Sequence, residues 1–217
     1  MHSFGYYLQY LGFYEETLGM SKETYTGGAI YFKLFDLGGE RTIPAWFSTC
    51  ILWSCGMGLL AISVLEQDKS LNRYWFIIGL SLIYVSLDEM ISIHEHGDYI
   101  GVLALRNNIN IPDFLNSSWV IPAIVLVVIF FVFLIPFFAK LERQIRLLLI
   151  VSAIIYLFGA VGFEMVGGYA RVNSLENLYK FAFTIEETLE MSGAILLFHV
   201  VTSVALHKYK EFALNSA

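Results

Sequence analysis

Charged residues are scarce in this chain of 217 residues. Asp, Glu, Lys and Arg make up 15% of it, hydrophobic residues make up 57%, and the mean hydropathy is +0.65. A typical water-soluble domain contains about 25% charged residues. The composition therefore indicates that lipid is the main solvent of the chain.

Basic clusters are also missing. The net charge is -6, and Lys and Arg never cluster beyond two or three residues. This excludes the electrostatic footprint of a nucleic-acid-binding protein. The sequence contains neither a glycine loop of the kind that cradles phosphate nor a nucleophile elbow, so nucleophilic catalysis has little support.

Cysteine is rare, and a secretory signal is not evident. Cys50 and Cys55 are the two cysteines, and their spacing places them on different faces of one helix, so no disulfide is expected between them. Glu15 and Glu16 occur where a signal peptide would have basic and apolar regions. The N-terminal segment is therefore expected to be retained.

Five segments are long and apolar enough to cross a hydrocarbon core, which takes about 20 helical residues. They are residues 44–65, 75–96, 119–139, 146–167 and 185–206. We predict an all-α integral membrane bundle of about five transmembrane helices. The predicted organisation is an extracytoplasmic segment 1–43, a five-span bundle 44–207 and a cytoplasmic tail 208–217.

The distribution of Lys and Arg predicts the orientation of the bundle. Lys69 and Arg73 lie in or beside one very short loop, and three basic residues lie in another short loop at 140–146. Short basic loops remain in the cytoplasm. We therefore expect the N-terminus outside and the C-terminus in the cytoplasm, in a bacterial inner membrane.

Acidic residues and histidines collect near one end of spans two, four and five. The sequences concerned are SLDEMISIHEHGD, GFEMVGG and TIEETLEMSGA. Because successive spans alternate in direction, all three ends lie at the same, outer face. At about 1.5 Å per residue, Asp88 and Glu89 lie about 10 Å below the edge of the core, and Glu190 lies at a similar depth.

Helical periodicity relates these side chains to one another. Asp88, Ser92 and Glu95 share one stripe of span two, and His94 points elsewhere unless the helix end unwinds. In span five, Glu186 and Glu190 share a stripe.

A charged side chain at the centre of a span costs about 2.5–3.5 kcal/mol, so these acids need protons or bound cations. Carboxylate and imidazole ligands on facing helices build di-iron and di-manganese centres. The sequence thus predicts a site for a divalent metal such as iron, manganese, copper or zinc, with possible redox activity. The candidate ligands are Asp88, Glu89, His94, Glu95, Glu164, Glu187 and Glu190. The usual Glu-x-x-His pair is absent, because Glu187 is followed by Glu190.

Other interpretations remain open. Thr184 and Glu187 match a capping box, and Glu186 in the first turn of that span suits the positive end of the helix dipole. Glu95, His96 and Asp98 fit a solvated interface, and His199 fits a hydrogen-bonded packing residue. Clustered acids also build proton or cation pathways. The small size of the chain suits an accessory subunit bound to other membrane proteins. Membrane belts explain the aromatic content of 16% better than a pigment or quinone pocket does.

Four sequence blocks carry a family resemblance over about residues 32–206: GERTIPAWFS, SLDEMISIHE, GFEMVGG and EETLEMSG. Together they resemble a family of bacterial multi-pass membrane proteins to which no activity is assigned. The resemblance implies no substrate or cofactor. It implies that the motif positions are Glu40, Asp88, Glu89, His94, Glu95, Glu164, Glu187 and Glu190.

Overall fold

The computed structural model describes residues 34–35, 37, 42–94, 112–117 and 119–215. The chain divides into two compact units, residues 1–47 and 48–217. In the first unit, the Thr42 hydroxyl oxygen accepts a hydrogen bond from the backbone N–H of Ala45, at 3.4 Å, where the first helix begins. Most of the predicted segment 1–43 lies outside the described residues.

Apart from a 3₁₀ turn at Asp113–Leu115, the regular structure of the described residues consists of long helices. They are α1 (Ile43–Leu65), α2 (Lys69–Ile91), α3 (Val120–Lys140), α4 (Arg143–Leu157), a π-helical segment (Phe158–Phe163), α5 (Glu164–Val172) and α6 (Glu176–Asn215). The π segment joins α4 and α5 into one span of 30 residues. Five spans therefore have the length and composition to cross a membrane, which confirms the predicted all-α membrane bundle.

Two helix boundaries differ from the prediction in an informative way. Helix α2 ends at Ile91 rather than near residue 96, and α6 begins at Glu176 rather than near residue 185. The capping box proposed at Thr184 was wrong, because this residue lies in the third turn of α6. Its hydroxyl donates to the carbonyl oxygen of Lys180 at 2.8 Å.

The core is packed through glycines and aromatic rings. A Cβ on Gly56 would lie 2.9 Å from the Gly79 carbonyl oxygen, so only glycine lets α1 and α2 approach this closely. Nearby, the rings of Trp75 and Phe137 meet edge to face, with centroids 4.7 Å apart. Both cysteines are free, as predicted, and Cys55 is buried in this core.

One end of the bundle holds paired charges; we call it the lysine-paired end, made of Glu66, Asp68, Lys140 and Lys208. Lys208 lies 3.1 Å from a Glu66 carboxylate oxygen, and the Glu66 side chain is only 6% exposed. Lys140 lies 3.2 Å from Asp68, which also caps α2 by accepting the backbone N–H of Ser70 at 2.7 Å. The Ser70 N–H and hydroxyl, together with Lys140, lower the pKa of Asp68 to about 2. Each carboxylate at this end thus has a cationic partner.

Candidate functional site

The opposite end of the bundle brings together side chains from the end of α2 and the residues that follow it, from α5 and from α6. We call this set the acidic cluster, which consists of Asp88, Glu89, His94, Glu164, Glu186, Glu187 and Glu190. Their convergence at one end agrees with the alternation of helix directions expected from the sequence.

The end of α2 unwinds and returns His94 to the cluster. Ser92 adopts a left-handed conformation (φ 49°, ψ 49°) and ends the helix. The chain then folds back, so that the His94 backbone N–H donates to Asp88 at 2.8 Å and its Nδ1 lies 2.7 Å from the other Asp88 oxygen. The His94 ring packs against Trp119, with centroids 4.4 Å apart. Asp88 and Trp119 therefore fix the orientation of the imidazole.

Glu164 makes the decisive contact of the site. It directly follows the π segment, and its carboxyl group lies close enough to that of Glu186 for the two to interact. The buried Ser117 hydroxyl, which precedes α3, donates to Glu164. Arg171 is close enough to Glu186 for their charges to interact. Two ionised carboxylates repel each other and neither can donate a hydrogen bond, so this close approach favours a proton on one partner.

Glu190 is the most buried acid of the cluster, at 9% exposure. Its neighbours include Glu89, Glu187 and Glu186, all close enough for electrostatic interaction. Across the described residues, its carboxyl group has no hydrogen-bond partner. Such a group, buried among like charges, is costly unless it is protonated or bound to a cation.

Close packing of the π segment sets these positions. A Cβ on Gly159 would lie 2.8 Å from the Glu186 carbonyl oxygen and 3.1 Å from Cγ of Glu190. π-helical turns inside α-helices occur frequently at functional sites. Here the turn directs Glu164 toward α6.

Tyr156 adds a phenol to one side of the cluster. It lies two residues before the π segment and interacts electrostatically with Glu190, Glu89, Asp88 and Glu187. No hydrogen bond to its hydroxyl is formed by the residues that the structure describes. Tyr156 is therefore a polar group available at the edge of the acidic cluster.

The predicted ligands meet with different outcomes. The structure brings Asp88, Glu89, His94, Glu164, Glu187 and Glu190 to one end of the bundle, whereas Glu95 and Glu40 lie outside the described residues. In the described ranges, no three His, Cys, Asp or Glu side chains are arranged to hold a metal ion. His199 is exposed on α6. The metal assignment stays a prediction.

Sequence reasoning missed several members of the site. Ser117, Trp119, Tyr156 and Arg171 were not among the candidates, and Glu186 was favoured as a helix-start residue. Ser and Tyr are ordinary residues in and beside spans, and no spacing rule connects positions 117 and 164. Arg171 carried the one usable signal, because it is a cation only seven residues after Glu164.

Residues 15–205 match a family described as Domain of unknown function (DUF8692). The chain belongs to this family. No curated protein and no solved structure matches it. The geometry of the acidic cluster is therefore the evidence from which a function can be proposed.

Proposed function

We propose that this membrane protein binds and exchanges protons at the acidic cluster, near one face of the bilayer. The observation that carries the proposal is the close approach of the Glu164 and Glu186 carboxyl groups in a cluster that also buries Glu190. Since two ionised carboxylates would repel each other, a proton shared by the pair stabilises this arrangement.

The charge balance of the cluster supports the same conclusion. Among the described residues, His94 and Arg171 are the basic groups in range of these acids, and His94 is already engaged by Asp88. In that part of the chain the carboxyl groups outnumber the basic groups, which favours protonation of some of the acids. Interacting carboxyl groups of this kind share protons and titrate as a set.

The exchange is confined to one half of the membrane. Beyond Glu190, α6 continues through Val200, Val201 and Val204, which are buried in the apolar core. The next acid packed inside the described bundle is Glu66, at the lysine-paired end, where it is bound to Lys208. A continuous relay across the bilayer lacks its middle section, so we propose local acid–base chemistry rather than proton conduction.

For the orientation, we propose that the lysine-paired end faces the cytoplasm of a bacterial inner membrane. The basic residues near both short loops at that end support this arrangement. A periplasm-only reporter fused after Ala217 is expected to be inactive. Activity of that reporter would reverse the orientation and leave the acidic cluster in the other leaflet.

The proton-binding proposal is tested by infrared spectroscopy of the full chain in lipid nanodiscs. In spectra collected from acidic to alkaline pH, the wild type should show the C=O absorption of a protonated carboxyl group, which disappears once the proton is lost. Glu186→Gln should lose it. Glu176→Gln, in an exposed acid paired with Lys180 on the same helix, should retain it. Absence of the absorption from the wild type over the whole range would overturn the proposal.

A divalent metal site is the second candidate, and the Asp88–His94 pair favours it. Metal-binding histidines are commonly oriented by a carboxylate on the other ring nitrogen, as Asp88 orients His94 here. Elemental analysis of purified protein tests this candidate. Glu164→Gln and Glu190→Gln preserve shape while removing charge, so they should abolish metal retention with little loss of folded protein. Full retention by both variants would exclude these ligands.

An accessory role in a larger membrane complex is the remaining prediction from the sequence. Copurification of stoichiometric partners would support it without bearing on either kind of site.

A further inference from the structure

A large apolar cavity lies beside the acidic cluster. It has a volume of about 620 Å³ and is enclosed by parts of α1, α2, α3, α4 and α6. Binding sites for small molecules span about 300–1,000 Å³, so the cavity has room for one ligand of ordinary size.

The walls of this cavity are chemically uniform. Ser81 and Ser152 contribute hydroxyl groups, but each donates to a carbonyl oxygen of its own helix, at 2.9 Å in both cases. The remaining lining is almost entirely aliphatic and aromatic. The body of a fitting ligand must therefore be hydrocarbon.

The cavity opens toward lipid. Leu80, Tyr84 and Leu126 form part of its wall, and they are 47%, 58% and 66% exposed on the outer surface of the spans. A spanning helix presents such a surface to acyl chains. Only a molecule already dissolved in the bilayer can enter by this route.

Polarity appears where the cavity meets α4. Tyr156 lines the cavity and also belongs to the electrostatic surroundings of Glu190 and Glu89. Its hydroxyl is not hydrogen-bonded to any described residue, and it can donate to a carbonyl oxygen. Glu190, beyond it, is buried and forms no hydrogen bond with its carboxyl group to any residue that the structure describes.

We infer that the cavity binds a lipid-soluble molecule with a long hydrocarbon chain and a carbonyl head group, whose oxygen lies at the Tyr156 hydroxyl. The inference deepens the proposed function, because it supplies the class of molecule that protons of the acidic cluster would reach. A quinone and an acyl ester share this chemistry.

Three probes with equal decyl chains distinguish the sources: a decyl benzoquinone, a decanoic acid methyl ester and decylbenzene, which has no carbonyl. The full chain is loaded in nanodiscs, and native mass spectrometry measures how much probe remains bound to the released protein. The wild type should retain one molecule of a carbonyl probe. Retention of the quinone alone or of the ester alone would support the inference and identify the source, whereas retention of neither would overturn it.

Two variants test the position of the chain. Ala153→Phe fills the cavity and should lower retention of the carbonyl probe at least tenfold, while Ala61→Phe, the same change on the exposed face of α1, should leave it at the wild-type level. Leu126→Trp narrows the opening of the cavity at a lipid-facing position and should also lower retention of the carbonyl probe. It provides the test if Ala153→Phe fails to fold. Wild-type retention by a folded cavity variant would overturn the inference.

Tyr156→Phe tests the head group. Loss of one hydrogen bond should weaken retention of the carbonyl probe about two- to tenfold and leave decylbenzene unchanged. Equal retention of the carbonyl probe by Tyr156→Phe and wild type would overturn the assignment. Glu176→Gln, in an exposed acid outside both the acidic cluster and the cavity, should retain the probe fully. If the wild type lacks the infrared absorption but still binds the probe, and if Ala153→Phe lowers that binding, the proposed function is refuted. The cavity site is then still supported.

Discussion

Acidic residues have opposite electrostatic surroundings at the two ends of the bundle. At the lysine-paired end, Glu66 and Asp68 each have a lysine within 3.2 Å. In the acidic cluster, Glu164 lies close to another acid, Glu186, and Glu190 is buried among like charges. Packing and stability alone explain the first arrangement. The second costs stability, which is characteristic of functional residues inside membranes.

The largest effect is expected where the backbone holds the acidic cluster together. Gly159→Ala places a methyl group 2.8 Å from the Glu186 carbonyl oxygen, and backbone cannot move aside as a side chain can. Overpacking costs about 1–3 kcal/mol, and we expect the upper end of this range. Thermal unfolding and the infrared absorption should both report the change.

Gly162→Ala is the matched control within the same π segment. Its nearest contact would be the Phe158 ring, at 3.1 Å, which can rotate. Equal losses of stability in the two variants would show that the π segment tolerates alanine poorly at either position. The close approach of Gly159 to α6 would then not explain the effect of Gly159→Ala.

At the lysine-paired end, Glu66→Gln should destabilise the protein. Its carboxylate has both oxygens near Lys208, at 3.3 and 3.1 Å, and hydrogen bonds to charged groups contribute about 1.5–3 kcal/mol. Equilibrium unfolding in mixed detergent measures the loss. Glu211→Gln, at the looser 3.8 Å contact with the same lysine, should change the free energy of unfolding much less.

At the acidic cluster, the same substitution should act in the opposite direction. Glu190→Gln removes a buried acid surrounded by like charges, so we expect the free energy of unfolding to rise by about 1 kcal/mol. Glu142→Gln, in an exposed acid, serves as the control. Destabilisation as large as that of Glu66→Gln would mean that Glu190 holds a cation, and the contrast between the two ends would disappear.

The smallest effect concerns pH at the start of α2. The pKa of Asp68 is about 2 in the folded protein, against about 3.9 for an unperturbed aspartate. Its ionised form therefore stabilises the fold above about pH 4, and this contribution is lost as the pH falls toward 2. The difference in Tm between wild type and Asp68→Asn should be constant above that range and vanish below it. A difference that persists at the lowest pH would mean that charge plays no part.

Hydropathy and helix periodicity predicted the number of spans and the convergence of acids at one end, because both follow from the length and alternation of apolar segments. The end of α2 was harder. Ser92 takes a left-handed conformation that glycine or asparagine usually supplies, so its sequence gives no stop signal. As a result, the sequence predicted that His94 would point toward the other candidates only if the end of the helix unwinds.

Contacts between distant segments could not be predicted from the sequence for another reason. The Ser117–Glu164 hydrogen bond depends on how the segment before α3, with its 3₁₀ turn Asp113–Leu115, packs beside α5, and a single polar residue before a span does not encode that packing. Similarly, Thr184 has the spacing of a cap, but the residues before it, from Glu176 onward, continue the helix. Local sequence patterns predicted the individual helices, but they did not predict which segments pack against each helix.

The π segment has a consequence for insertions and deletions. Successive residues of an α-helix are rotated by about 100° and advanced by about 1.5 Å. A π turn contains one more residue than the α turn it replaces. Deleting a single residue between Phe158 and Phe163 would therefore leave a regular α turn with Glu164 facing nearly the same way. Inserting one more residue there, or rewinding the same six residues as a regular α-helix, would rotate Glu164 by about 100° away from Glu186, with every side chain of the acidic cluster still present. The pairing of the two acids thus depends on the winding of one turn, and a change of winding there would separate them without altering any functional group.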